Sequence, residues 1–162
     1  TDLAGLFSGF SNTVGSGAAE ITIEDIFKAA ATLRNNNAPG PYVAVLHPFQ
    51  AFQLKKQLTN AGATMSHSLS DVGNQALMDG FVGRIAGIDI FESTVVTGDS
   101  AGAFVGAAMS SDAIAYMVKR EMRIEEQRDA SLRATEYVGS MAYGVSELFD
   151  AYGVGIIGDA QL

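Results

Sequence analysis

Residues 119–158 read KREMRIEEQRDASLRATEYVGSMAYGVSELFDAYGVGIIG. Between Lys119 and Glu136 stand five basic residues (Lys119, Arg120, Arg123, Arg128, Arg133) and five acidic ones (Glu121, Glu125, Glu126, Asp129, Glu136). Met122 to Gln127 alternates with period two: Met122 and Ile124 fall on one face, Arg123 and Glu125 on the other, which predicts a strand. The segment after it fits two patterns. Tyr137, Met141, Val145, Leu148, Phe149 and Tyr152 make a helical stripe, whereas Thr135, Tyr137, Met141, Tyr143 and Val145 line one side of a strand. Gly139 and Gly144 would each cost a helix about 1 kcal/mol, so a strand is favoured. Gly153 to Ile157 reads as a last strand. Balanced charge on a ribbon suits a surface that meets charged neighbours, and suits a substrate pocket poorly.

Upstream, Leu3, Leu6, Phe7 and Phe10 have helical spacing, as if a helix were entered part-way, so the chain is expected to be a piece of a longer protein. Ser11 to Ala19 reads as a Gly/Ser linker. Thr22-Ile-Glu-Asp25 resembles a capping box, with Ile21 and Ile26 placed as a hydrophobic staple. Ile23, Ile26, Phe27, Ala30 and Leu33 predict one apolar face. The helix is expected to fray at Asn35-Asn36-Asn37 and stop at Pro39-Gly40-Pro41. Tyr42 to Leu46 predicts a short buried strand, and His47-Pro48 the start of a helix with proline in its first turn. Phe49, Phe52 and Leu58 lie near one face of it. Thr59 to Leu69 reads as a polar connection and Ser70-Asp71 as the cap of a third helix ending near Met78 and Gly80. Residues 81–92 are strand-like, with Ile88 and Ile90 on one face, Ala86 in line with them, and a turn or bulge at Gly83 and Gly87. Residues 103–109 and 113–118 predict two more strands.

Composition narrows the function. The chain has 162 residues, a size for one domain or slightly more. Ten basic and eighteen acidic residues give a net charge of −8, and outside 119–136 only five bases face thirteen acids. Such a chain lacks the Lys and Arg from which a specific nucleic-acid binder draws its affinity. The absence of cysteine removes thiol catalysis and Cys–zinc sites. No run of residues is long and apolar enough to predict a membrane-spanning helix.

No catalytic constellation emerges. His47 and His67 have no partner at metal-ligand spacing. His47 before Pro48 reads as a cap or turn residue, and His67 as a solvated loop residue. No nucleophile elbow or phosphate-binding loop is present. Glu125, Glu126 and Asp129 could suggest a metal-binding cluster, but Arg123 and Arg128 flank them and favour ion pairs. No catalytic, metal or cofactor site is therefore expected. The charged residues themselves fit two roles. An exposed ion pair is worth ~0–1 kcal/mol, so they suit a plain solvated face. They also suit a contact between copies, where wrong registers would oppose like charges.

Taken in order, several segments resemble the major capsid protein of tailed bacteriophages with the HK97-like fold. They are GFSNTVG (9–15), TIEDIFKAAATLRNNNAPGPYVAVLHPFQAFQLKKQL (22–58), GFVGRIAGIDIFESTVV (80–96) and AFVGAAMSSDAIAYMVKREMRIEEQRDASLRATEYVGSMAYGVSELFDAYGVGII (103–157). The phrases QRDAS, RATE and YGVSELFDAYGV resemble those of short-tailed or cyanobacterial phages. The resemblance implies an α+β fold with an axial domain at the capsomer centre and a peripheral domain at its rim. Residues 1–19 would be the end of the spine helix and a linker of the peripheral domain. Residues 20–118 would form the axial domain, helices over a small mixed sheet, and 119–162 a peripheral ribbon and C-terminal strand. The family's N-terminal arm, extended loop and most of its spine helix have no counterpart in these residues. Covalent cross-linking known in some members is therefore not assigned to Lys28, Lys55, Lys56 or Lys119.

The resemblance also implies a function. The expected protein is a structural subunit, not an enzyme, that self-assembles into hexamers and pentamers of an icosahedral shell around double-stranded DNA. Its partners would be copies of itself, with scaffolding, portal or decoration proteins as further candidates, and no membrane. It would be made in the host cytoplasm and reside in the virion capsid. Arg120, Arg123, Glu125, Arg128, Arg133 and Glu136 are the expected inter-subunit contacts. A cage-forming cellular compartment protein shares the fold and is the alternative. A small α+β ligand-binding or metabolic domain, with a pocket near His67 and Asp71, is a further one.

Overall fold

The computed structural model describes residues 2–62, 83–96, 98 and 102–159. The expected third helix, with Ser70, Asp71 and Gly80, and His67 lie outside them. The elements in chain order are α1 (Asp2–Phe7), β1 (Thr13–Ser16), α2 (Ile23–Asn35), β2 (Tyr42–Leu46), α3 (Pro48–Gly62), β3 (Arg84–Ile85), β4 (Ile88–Glu92), β5 (Ala103–Ser110), β6 (Ile114–Asp129), β7 (Ala134–Glu147), a 3-10 turn at Asp150–Tyr152 and β8 (Gly153–Asp159). Two sheets result. One has six strands in the order β1-β8-β5-β2-β4-β3, and the other is the two-stranded ribbon β6-β7.

Helix α2 is set by its ends. The Thr22 hydroxyl accepts from the Asp25 N–H and the Asp25 carboxylate accepts from the Thr22 N–H, closing the capping box. Its other end does not fray. Asn37 takes a positive φ of 53°, the Ala38 N–H donates to the Leu33 carbonyl, and the Asn37 N–H donates to that of Arg34. This is a Schellman motif with asparagine where glycine is usual. The buried stripe is Ile26, Ala29, Ala30 and Leu33, while Phe27, expected inside, is 55% exposed. The buried stripe runs through positions 26, 29, 30 and 33, and Phe27 falls beside it.

Helix α3 corrects its prediction twice. It continues past Leu58 to Gly62. Its buried face is Gln50, Ala51, Gln53 and Leu54, not the phenylalanines, and Phe49 and Phe52 stay exposed. The glutamines supply the reason. Gln50 accepts from the His47 N–H and donates to the Phe104 carbonyl. Gln53 accepts from the Ile21 N–H and donates to the Asp159 carbonyl. Gln57 accepts from the Ile23 N–H and donates to the Ile21 carbonyl. Each amide thus satisfies two backbone groups that would otherwise lack partners, so the polar residues are drawn inward.

Helices α2 and α3 pack on one sheet face, against Ala44, Leu46, Ile88, Ile90, Ala108, Val154 and Ile156. Phe7, Phe10, Val96, Ala107 and Ala113 form a second cluster with Val45 and Met109. Residues 13–16, expected as linker, form β1 and pair in parallel with β8. Gly153 at the start of β8 leaves room for the Phe10 ring, which a Cβ would overlap. The strand expected over 81–92 is a tight hairpin in its described part. Ala86 (φ 55°) and Gly87 (φ 86°) form its two-residue turn, both with the positive φ that such a connection requires. Ala86 sits in that turn, and it packs against the cluster that contains Ile88 and Ile90. Arg34 donates to its carbonyl at 2.8 Å.

The boundary drawn at Lys119 falls inside β6, which runs unbroken from Ile114. The last strand, β8, sits inside the six-stranded sheet between β1 and β5. It was expected with the ribbon because it follows it in sequence. Its burial and its seven-residue pairing with β5 place it in the body instead.

Candidate interaction surface

Sixteen residues of β6 and fourteen of β7 form the ribbon. At ~3.3 Å per residue it reaches roughly 45–50 Å. Its root is tied to the body: Ile114 packs against the cluster of Phe7 and Phe10, and the Leu148 N–H donates to the Ala113 carbonyl at 2.9 Å. Beyond that root nearly every residue is exposed.

Residues directly opposite in an antiparallel pair point to the same side. The register therefore assigns the faces. Tyr116 opposes Val145, Val118 opposes Tyr143, Ile124 opposes Gly139, Glu126 opposes Tyr137 and Arg128 opposes Thr135. Two irregularities in β6, after Val118 and after Arg120, each add one residue to β6 relative to β7. Together the two shifts cancel in phase, so even-numbered β6 residues keep one side before and after them and only their partners on β7 change. One face thus carries Ile114, Tyr116, Val118, Met122, Ile124, Tyr137, Met141, Tyr143 and Val145, with Glu126, Arg128 and Thr135 toward the tip and Glu147 at the root. The Tyr116 and Tyr143 rings lie 5.7 Å apart, and the Met122 methyl lies over Gly139. The opposite face carries Arg120, Arg123, Glu125, Gln127, Glu136, Ser140 and Ser146, together with the exposed Met117 and Val138.

The predicted contact residues are thus divided. Arg120, Arg123, Glu125 and Glu136 share the polar face. Arg128 lies on the apolar face, and Arg133 lies in the connecting turn with φ 49°. Arg123 Nε and Glu125 Oε1 form an ion pair of 3.2 Å within β6. Both are exposed, so the pair contributes little to stability. Among the described residues, Arg120, Arg128, Arg133 and Glu136 form no ion pair within the chain.

Sequence reasoning found both half-stripes but missed their coincidence. Met122 and Ile124 on β6, and Tyr137, Met141, Tyr143 and Val145 on β7, were each read as one-sided. Only the register shows that they form a single apolar surface. The three tyrosines on it, at 51–66% exposure, alone leave open roughly 300–400 Å². A patch of that size marks an interaction site.

The rest of the chain offers little chemistry. The His47 Nδ1 accepts from the Phe49 N–H at 3.3 Å and its ring stacks on Phe104 at 3.9 Å, consistent with a helix-start residue. Burial holds its pKa below the usual histidine value. Among the described residues no group of acids or histidines is arranged to hold a metal ion. No helix among them is long and apolar enough to cross a membrane.

A six-stranded mixed sheet under two helices, extended by a long two-stranded ribbon, is the architecture of shell-forming proteins of the HK97-like class. Three solved structures share it. A structure from Mycobacterium phage Che8 is 21% identical with a TM-score of 0.73, over 95% of this chain and 56% of that one. The capsid of cyanophage P-SCSP1u is 17% identical with a TM-score of 0.70, over 96% and 59%. The SrpI encapsulin of Synechococcus elongatus is 13% identical with a TM-score of 0.69, over 93% and 54%. The chain spans a little over half the length of each.

The family model for phage capsid proteins matches residues 1–156, nearly the whole chain, and the protein belongs to that family. No curated protein matches it.

Proposed function

We propose that this chain is the part of a major capsid subunit that builds hexamers and pentamers of an icosahedral shell around packaged double-stranded DNA. The capsid-family match over residues 1–156 carries the reading. The two-faced ribbon supports it, because an isolated subunit gains nothing from so much exposed apolar surface. In this reading the helices and six-stranded sheet form the axial part. The ribbon and α1 form the peripheral part, where neighbouring subunits meet. Arg120, Arg123, Glu125, Arg128, Arg133 and Glu136 are contact residues there. The net charge of −8 lets a shell enclose DNA without gripping it. The subunit is made in the host cytoplasm and ends in the virion, with scaffolding, portal or decoration proteins as further partners.

A cellular compartment shell is the second reading, favoured by the likeness to the SrpI encapsulin. Electron microscopy of the intact subunit tests both: shells are expected, and dispersed monomers would overturn both. The genes beside it separate them, since terminase and portal genes mark a phage. Charge reversal at Arg123 or Arg128 is expected to reduce shell yield while the subunit still folds. Normal shells from both reversals would remove these residues from the contact.

A further inference from the structure

The tip of the ribbon is built rather than loose. Asp129 Oδ1 accepts from the Ser131 N–H at 2.8 Å, the Ser131 hydroxyl at 2.6 Å and the Leu132 N–H at 3.3 Å. This closes the four-residue connection 130–133 and holds Leu132 outward. Leu132 is 76% exposed, more than any other large apolar residue described. A large apolar side chain this exposed at the end of a hydrogen-bonded turn calls for a partner. Arg128 and Arg133 stand beside it. The one acid there, Asp129, is occupied by its three donors.

The root of the ribbon is the complement. Leu148 and Phe149 are 57% and 51% exposed. Both donate their N–H groups to the Ala113 carbonyl, at 2.9 and 3.3 Å, which fixes their backbone. Glu147 and Asp150 flank them in the chain, Asp150 accepting from the Ser11 N–H at 2.7 Å, and no basic residue occurs from Ala134 to Leu162. Tip and root of one ribbon lie roughly 45 Å apart at ~3.3 Å per residue. A tip therefore cannot meet its own root.

Resting on the shell reading, we propose that the ribbon tip of one subunit docks on the ribbon root of a second copy. Leu132 seats against Leu148 and Phe149, and Arg128 and Arg133 face the acidic rim at Glu147. The two patches differ, so the contact is head-to-tail and propagates from copy to copy, as a closed shell of many subunits requires. Apolar anchoring at the centre with opposite charges at the rim gives both adhesion and register.

The chain has no cysteine, which makes the test direct. L132C and F149C are introduced singly into the intact subunit. The two variants are co-assembled and treated with a short bifunctional thiol reagent. Cross-linked dimer is expected in the mixture and not in either variant alone. Dimer from L132C alone would show tip meeting tip and overturn the proposal. Shells without cross-links would overturn it too, while leaving the shell reading intact. Cross-links without shells would uphold the contact and remove the shell. Neither product would remove both. A second pair guards against misfolding. R133D, which suits a positive φ, is expected to lower shell yield about tenfold, and E147R in the same chain to restore much of it. Unchanged yield in R133D would count against the docking.

Discussion

The body and the ribbon solve opposite problems with the same residue types. In the body, all five basic residues are engaged within the chain. Lys28 pairs with Glu24 and Asp25, Lys55 with Glu92, Lys56 with Glu20 and Arg84 with Asp89, while Arg34 holds the Ala86 carbonyl. In the ribbon only Arg123, among five basic residues, forms an ion pair with another described residue. Apolar residues divide likewise. Ile21, Ile26, Leu33, Leu46, Leu54, Ile88, Ile90 and Ile156 are fully buried in the body, whereas Met122, Ile124 and Tyr137 are about two-thirds exposed. The body closes a core of its own, although Phe27, Phe49, Phe52 and Phe91 stay exposed on it. The ribbon is an antiparallel pair without a core, and an isolated two-stranded ribbon is marginal in water. Its composition makes sense only against other surfaces.

That contrast can be broken by mutation. Leu54→Ala and Leu33→Ala are expected to destabilise the chain by about 2–5 kcal/mol in chemical denaturation, as buried leucines do. Ile124→Ser, in the ribbon, is expected to change the same midpoint by less than ~0.5 kcal/mol. A large Ile124 effect would show that the ribbon is already covered in the single subunit. Gln53→Ala is the next largest. It strips partners from the Ile21 N–H and the Asp159 carbonyl and is expected to cost about 1–3 kcal/mol. Thr22→Ala removes the α2 cap and is expected to cost about 1 kcal/mol.

The smallest effect on stability falls at the tip. Hydrogen bonds from the Ser131 hydroxyl and N–H, then the Leu132 N–H, hold the Asp129 carboxyl below its ordinary pKa. Its folded pKa lies below the unfolded one, so the tip's order is present above the unfolded value, near 3.9, and lost as pH falls through the folded value. Amide exchange at Ser131 and Leu132 should stay slow relative to Asp129→Ala at neutral pH and converge with it in acid. Equal exchange in both proteins at neutral pH would mean that the carboxylate does not order the turn.

Much of the fold was legible because its signals are local. The Thr22 capping box, the Tyr42–Leu46 strand, the Pro48 helix start and the period-two alternation of Met122–Gln127 depend on residues a few positions apart. The misreadings share a cause. Phe27 and Phe49 were assigned inward on hydrophobicity and spacing, while Gln50 and Gln53 were not considered. Which face a helix buries depends on the backbone groups that meet it, and those come from Ile21, Phe104 and Asp159. Residues 13–16 lacked apolar alternation, so nothing local announced a strand. Their structure comes from the edge of β8. The predicted contact residues were visible as charges, but not their division between two faces and a turn.

The sequence by itself determined an acidic, cysteine-free α+β chain of the capsid family, the helix starts at Thr22 and Pro48, and a charged ribbon ending in a tail without bases. Only the tertiary structure decided that β8 returns to the body sheet beside β1. It alone decided the cross-strand register in which apolar residues from both strands meet on one open face. Caps and alternation arise from neighbours along the chain and are written there. Sheet membership and cross-strand register arise from pairing between distant segments, where a shift of one residue exchanges the faces.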